Sequence, residues 1–397
     1  MDRRTFLTTT CAGTAALSGC LSALPWTSGG NTPLPEVPGG SWTQHGADAA
    51  NTFAPAVSAP SRAAFAWTSS AFTRWDPVIA DGTIYTTNFD PSNDGSAIAL
   101  DAQDGTEQWR TTLGREGRHG RALLDGRFVV AHDSGLVALD RQEGGVDWER
   151  SVEGIDTSLA ELLAVAASGT IVVPYADGLK AFGATDGERR WKTPELPGQR
   201  VTPAIADGTI YAVGSVDGTD TLAALADGSV RWTRSLDGRS PSAPVVTDRG
   251  VLVVDDRTLV VHDRETGDRR TELYSFDYDG TTFDATVATD GTTAFVTSDD
   301  GLTAVDIADG TTRWHYDEWV YTDGCSVGTE TVVAMADGGE STDRTITAFD
   351  RETGEARWDY VMDGFHTPSI GPTLADGAVF FATSSSDGLV AIGDVPE

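Results

Sequence analysis

Lysine is almost absent from this chain of 397 residues. Lys180 and Lys192 are the only two, and the other 26 basic residues are arginines. Against these 28 cations stand 43 Asp and 17 Glu, for a formal net charge of −32. A chain so poor in positive charge repels a phosphate backbone, which excludes sequence-independent nucleic-acid binding. Cysteine is scarce too: Cys11, Cys20 and Cys325 are the only three, and none are neighbours. Asparagine is limited to Asn31, Asn51, Asn88 and Asn93, and none opens a glycosylation sequon. The apolar run near the N-terminus, Thr8 to Leu17, falls well short of the roughly 20 residues a spanning helix needs.

What is present excludes disorder: 39% apolar residues and 11 Trp supply a core. An Asp-rich, Lys-poor surface suits concentrated salt. At about 1 M the Debye length is about 3 Å, and self-repulsion is screened. The fold is therefore expected to weaken as salt falls from molar to about 0.1 M. A melting temperature unchanged in dilute buffer would remove this reading.

The chain opens Met1-Asp2-Arg3-Arg4-Thr5-Phe6-Leu7, and the weak apolar run ends in Leu17-Ser18-Gly19-Cys20. Paired arginines before a short apolar stretch read as an export signal. Arg3-Arg4-x-Phe-Leu resembles the twin-arginine signal, associated with export of folded proteins. Leu-Ser-Gly-Cys resembles a lipobox, which implies cleavage before Cys20 and lipid on its thiol. A short signal anchor, or cleavage elsewhere with Cys20 incidental, is the alternative. Residues 1–19 are thus read as signal peptide and 20–40 as a flexible tether, because Pro25 to Gly40 is rich in Pro and Gly. With Cys11 removed and Cys20 acylated, Cys325 has no disulfide partner.

From residue 41 on, one unit repeats. Trp67, Trp109, Trp148, Trp191, Trp232, Trp314 and Trp358 recur with gaps of 42, 39, 43, 41, 82 and 44, and Thr271 stands near the missing point. Such a period means a solenoid or a propeller. Each unit reads as an apolar strand, an Asp-Gly type turn (Asp81-Gly82, Asp207-Gly208, Asp290-Gly291, Asp376-Gly377), a second strand, a loop, a third strand, a Gly turn and a Trp strand. Asp-Gly supplies the positive φ of tight hairpins, so these acids are first of all turn residues. Four short strands per unit fit a propeller blade. The last unit lacks its Trp strand, while Phe65-Ala66-Trp67 is a Trp strand with nothing before it. Ring closure resolves both: an all-β, eight-bladed β-propeller of four-stranded antiparallel blades over 41–397, closed by the N-terminal strand. Seven blades, with the unit around Leu252 to Thr271 distorted, is the alternative.

The third and fourth strands carry Ala-x-Asp-x-x-x-Gly-x-x-x-Trp, as in Ala99, Asp101, Gly105 and Trp109, or Ala304, Asp306, Gly310 and Trp314. This is similar to the tryptophan-docking motif of the pyrroloquinoline-quinone (PQQ)-like propeller family, over roughly Ser41 to Gly393. Ser41-Trp42 through Asp48 to Asn51-Thr52 also resembles the lead-in segment of such proteins. The seven Trp residues are therefore read as packing between blades. The resemblance implies either a calcium- and PQQ-dependent dehydrogenase or a non-catalytic scaffold. Long loops over the quinone and the vicinal disulfide that many of the dehydrogenases have are missing. No matching Glu/Asn/Asp calcium set is found.

The residues just before each first strand surround one channel mouth. They include Arg74, Trp75, Asp76, His119, Arg121, Glu161, Arg200, Asp284, Asp323, Cys325 and His366. Trp75 could stack on a planar ligand, and the arginines could pair carboxylates. The plainer reading is a solvated mouth whose charges neutralise one another. Cys325 is read as a small buried residue, since no base can be assigned to it. The expectation is an exported, lipid-anchored, monomeric scaffold at the outer face of the cell membrane, binding a protein partner or small ligand, with no catalytic residue and no metal. The alternative is a quinoprotein oxidoreductase with a reduced pocket. The acidity suggests a haloarchaeal source.

Overall fold

The computed structural model describes residues 30–71, 76–88, 95–114, 120–132, 135–152, 165–175, 178–193, 196, 201–238, 241–277, 284–318, 320–337, 344–362, 371–382 and 388–395. These form eight antiparallel sheets with no helix, arranged as an eight-bladed propeller. Blade 1 runs from an inner strand, Val78–Ala80, through Thr83–Asn88 and Ser96–Asp101 to an outer strand, Glu107–Thr112. Blades 2 to 7 follow the same order.

Blade 8 supplies Thr373–Ala375, Ala378–Ala382 and Leu389–Gly393, and takes Ala64–Ser69 as its outer strand. Trp67 there faces Ala391 across the ladder. The N-terminal strand closes the ring, and the seven-bladed alternative is excluded. Blade 5 is complete with Val245–Thr247, Gly250–Asp255, Thr258–His262 and Arg269–Ser275.

The inner hairpins are tight because of their turn residues. Asp81 and Gly82 sit at φ 52° and 72°, and Asp207 and Gly208 at 50° and 74°, the positive values of a two-residue primed turn. The inner strand of blade 1 is buried throughout, while its outer strand, Glu107–Thr112, alternates between exposed and half-buried residues.

The core lies between blades, and each Trp is its joint. The Trp109 indole Nε1 donates to the Arg141 carbonyl of the next blade (3.1 Å), Trp148 to Ala184 (2.9 Å), Trp232 to Arg264 (3.1 Å) and Trp314 to Arg351 (2.9 Å). The motif glycine is the seat beneath the preceding blade's ring. A Cβ on Gly105 would stand 2.6 Å from Trp67, and one on Gly144 2.6 Å from Trp109. Glycine is thus needed twice, for its positive φ and for the ring against it. The motif Asp folds the same turn: Asp140 Oδ1 accepts from the Gln142 and Glu143 amides, and Asp350 Oδ1 from Glu352 and Thr353.

An ion pair joins three of these junctions. Arg141 reaches back to Asp81 (2.6 Å), Arg264 to Asp207 (2.5 Å) and Arg351 to Asp290 (3.7 Å). Each links the residue after a motif Asp to the hairpin Asp of the preceding blade.

Candidate functional site

The propeller axis holds the chain's own residues 39–58. Ser41 and Trp42 pair with Ala80 and Ile79 as a fifth strand on blade 1. The segment then meets the inner strands in turn: the Leu123 amide donates to Thr43, Ile205 to Ala49, Val246 to Ala50, Thr289 to Thr52 and Val327 to Phe53. It leaves past blade 8, where the Gly377 amide donates to Ser58 and the Asp376 amide to Gly39. These bonds lie at the hairpin ends of the inner strands.

Other contacts reach the opposite ends. Asn51, fully buried, donates from Nδ2 to the carbonyls of Thr202 (3.2 Å), Pro203 (3.2 Å) and Pro244 (3.1 Å), which lie before the inner strands of blades 4 and 5. His45 Nδ1 donates to Asp76 Oδ2 at 2.8 Å, just before the inner strand of blade 1. Trp42 and His45 both pack edge-on against Phe53. The segment therefore reaches both ends of the three-residue inner strands of blades 1, 4 and 5. Residues 32–39, within the stretch read as a tether, are docked as well. The Thr32 amide donates to Ala66 and the Leu34 amide to Gln103, and Leu34 is 2% exposed.

Among the mouth residues read from the sequence, Arg74, Trp75, His119, Glu161, Arg200 and His366 lie outside the described residues, as do Arg3, Arg4 and Cys20. Asp76 and Arg121 are both buried at the junction of blades 1 and 2. Arg121 Nη1 donates to Thr87 Oγ1 at 3.1 Å. Burial pulls its pKa down to about 9, against the pull of nearby Asp76, so it stays charged at neutral pH. Arg121 Nε and Asp76 Oδ1 are buried with no hydrogen-bond partner. Each is an unmet polar group that an ordered water could satisfy.

Asp284 is apart from this pair: it is exposed before the inner strand of blade 6, and its amide donates to Asp299 Oδ2. Asp323 lies on the inner strand of blade 7, Val320–Val327. Cys325, on the same strand, is 2% exposed, and burial pushes its thiol up to about 12, far from a nucleophile's range. The described residues thus bring together Asp76 and Arg121 and leave Asp284 elsewhere. Sequence reasoning missed His45, which partners Asp76. Its one signal was the resemblance of residues 41–52 to a lead-in segment.

A calcium ion takes six to eight oxygen ligands. Among the described residues, no three His, Cys, Asp or Glu side chains form a group able to hold a metal. Trp42, Asn51 and Phe53, buried on the axial segment, supply no carboxylate for such an ion.

The model of a protein family described as outer membrane protein assembly factor BamB matches residues 56–194, 176–270 and 270–397, which together take in all eight blades. The chain belongs to this BamB family of PQQ-like β-propellers. Among solved structures it is similar to BamB from Moraxella catarrhalis, 17% identical, with a TM-score of 0.61 over 84% of this chain and 98% of that one. It is similar to the computationally designed Ika8 protein, at 16% identity and a TM-score of 0.63 over 82% and 97%. A europium-containing methanol dehydrogenase is also similar, at 14% identity and 0.61 over 88% and 90%. At these identities the likeness is one of fold. No curated protein matches the sequence.

Proposed function

We propose that this BamB-family propeller is exported, lipid-anchored through Cys20, and acts as a monomeric binding and assembly scaffold at the outer face of the cell membrane. The observation that carries the reading is the axial segment. Trp42, Asn51 and Phe53 are buried on a segment that packs against the inner strands, which supports recognition at the loop rim and blade edges. The buried Cys325 thiol offers no nucleophile, and the scaffold needs no resident cofactor.

Crosslinking on intact cells, followed by isolation of the propeller, should recover one discrete membrane protein. Cys20→Ser should release the chain from the membrane fraction. Reconstitution with PQQ and calcium is the opposing arm: stoichiometric quinone uptake with dye-linked oxidation of an alcohol or sugar would replace the scaffold by an oxidoreductase.

A further inference from the structure

The outer strands of the blades end in open edges, and an open edge is a place for another strand or surface to meet. Blade 8 is different. Its outer strand, Ala64–Ser69, is covered along the free edge by residues 31–32. The Thr32 amide donates to Ala66 at 2.7 Å, and Asn31 both donates to the Thr68 carbonyl (3.1 Å) and accepts from its amide (3.2 Å). Leu34 then buries itself beside Gly393, and Gln103 Nε2 donates to its carbonyl at 2.9 Å. The chain is therefore fixed to the propeller from Asn31 onward.

Cys20 and Asn31 are eleven residue steps apart, with ten residues between them. Fully extended they span at most about 40 Å, at 3.3–3.6 Å each. A fold of this size is roughly 50 Å across. In an eight-bladed ring the blade opposite blade 8 is blade 4, residues 204–235.

We infer that the covered edge of blade 8 is the side of the molecule held against the lipid surface, with blades 3 to 5 on the free side. The inference rests on lipid attachment at Cys20. The free edges that face away are then the ones open to a protein partner.

The test uses the full lipidated chain on vesicles containing anionic lipid and a headgroup-bound energy-transfer acceptor. Single cysteines are introduced at exposed Ser70, beside the covered edge, and at exposed Thr233, on the outer strand of blade 4. Cys325 is buried and does not compete for label. The Ser70→Cys label should transfer severalfold more strongly than the Thr233→Cys label. Inserting about twenty Gly/Ser residues between Gly30 and Asn31 should bring the two signals together. Equal or reversed transfer on vesicle-bound, uninserted chain overturns the orientation alone. A parent chain that takes up label at Cys20 and stays off the vesicles overturns the lipid anchor, and the orientation with it.

Discussion

Two neighbouring junctions of the ring solve the same problem differently. Between blades 6 and 7, Trp314 stands opposite Ala304 on the adjacent strand, lies over Gly354 and donates to the Arg351 carbonyl. Between blades 5 and 6 the Trp position is Thr271, and the residue opposite is Val261. The outer strand there carries two register shifts where the blade 6 strand has one, and the extra one sets Leu273 out of the ladder. Leu273 takes the seat over Gly310, and its carbonyl would collide with a Cβ there. Phe276, Val305 and Ile307 complete an apolar joint where the other has an indole and an arginine. The glycine is what both junctions share. The repeat needs a seat between blades more than it needs tryptophan, and Val261 with a bulge can fill the space an indole leaves.

The largest expected effect tests the indole. Trp314→Ala should cost about 3–5 kcal/mol, since it removes a large ring and leaves a cavity. An unchanged denaturant midpoint would refute its role as a joint. Gly310→Ala and Gly354→Ala come next. At φ 77° and 75° each should cost about 1–3 kcal/mol from backbone strain alone, before any collision. A clearly smaller loss at Gly310 than at Gly354, read by thermal melting, would mean that Leu273 does not occupy the Gly310 seat.

Thr271→Trp sharpens the comparison. Alone it should overpack against Val261 by about 1–3 kcal/mol, and adding Val261→Ala should recover much of that loss. A stabilising single substitution would show the space to be empty. His262, beside Val261, tests the same blade through pH. Desolvation pulls its pKa below the ordinary value, although its Nδ1–H reaches the Gly267 carbonyl (3.0 Å). The folded state thus holds the neutral ring while the unfolded chain takes a proton near pH 6.5. The stability is complete above about pH 6.5 and falls as pH drops from there toward the folded pKa. His262→Asn should flatten the melting temperature between pH 7.5 and 5. An unchanged slope would assign the acid sensitivity elsewhere. The smallest effect belongs to Arg351→Ala: its pair with Asp290 lies at 3.7 Å, and such pairs contribute less than about 1 kcal/mol.

The blade count was legible because Ala, Asp, Gly and Trp return at fixed offsets, and the missing strand after Gly393 matched the surplus strand at Trp67. The Leu273 seat was not, since a bulge leaves no mark in residue spacing. Nor was the second use of the hairpin acids. Asp81 and Asp207 read as turn residues, and they are, but each also receives an arginine from the next blade. Of the mouth residues, Asp76 was found from its place before an inner strand, whereas Arg121 lies within one, Gly120–Leu124. His45 was hidden because its segment repeats nothing and its partners lie far along the chain.

That distance has a consequence for how the molecule is made. Residues 39–58 leave the ribosome before any blade exists, yet Ser58 must bond Asp376, 318 residues later, and Asn51 must bond Pro244, 193 residues later. Contacts of such high order are slow to form, because the loop entropy is spent before the bonds return it. The earliest part of the chain is the last to find its place, so the propeller settles only when synthesis is complete.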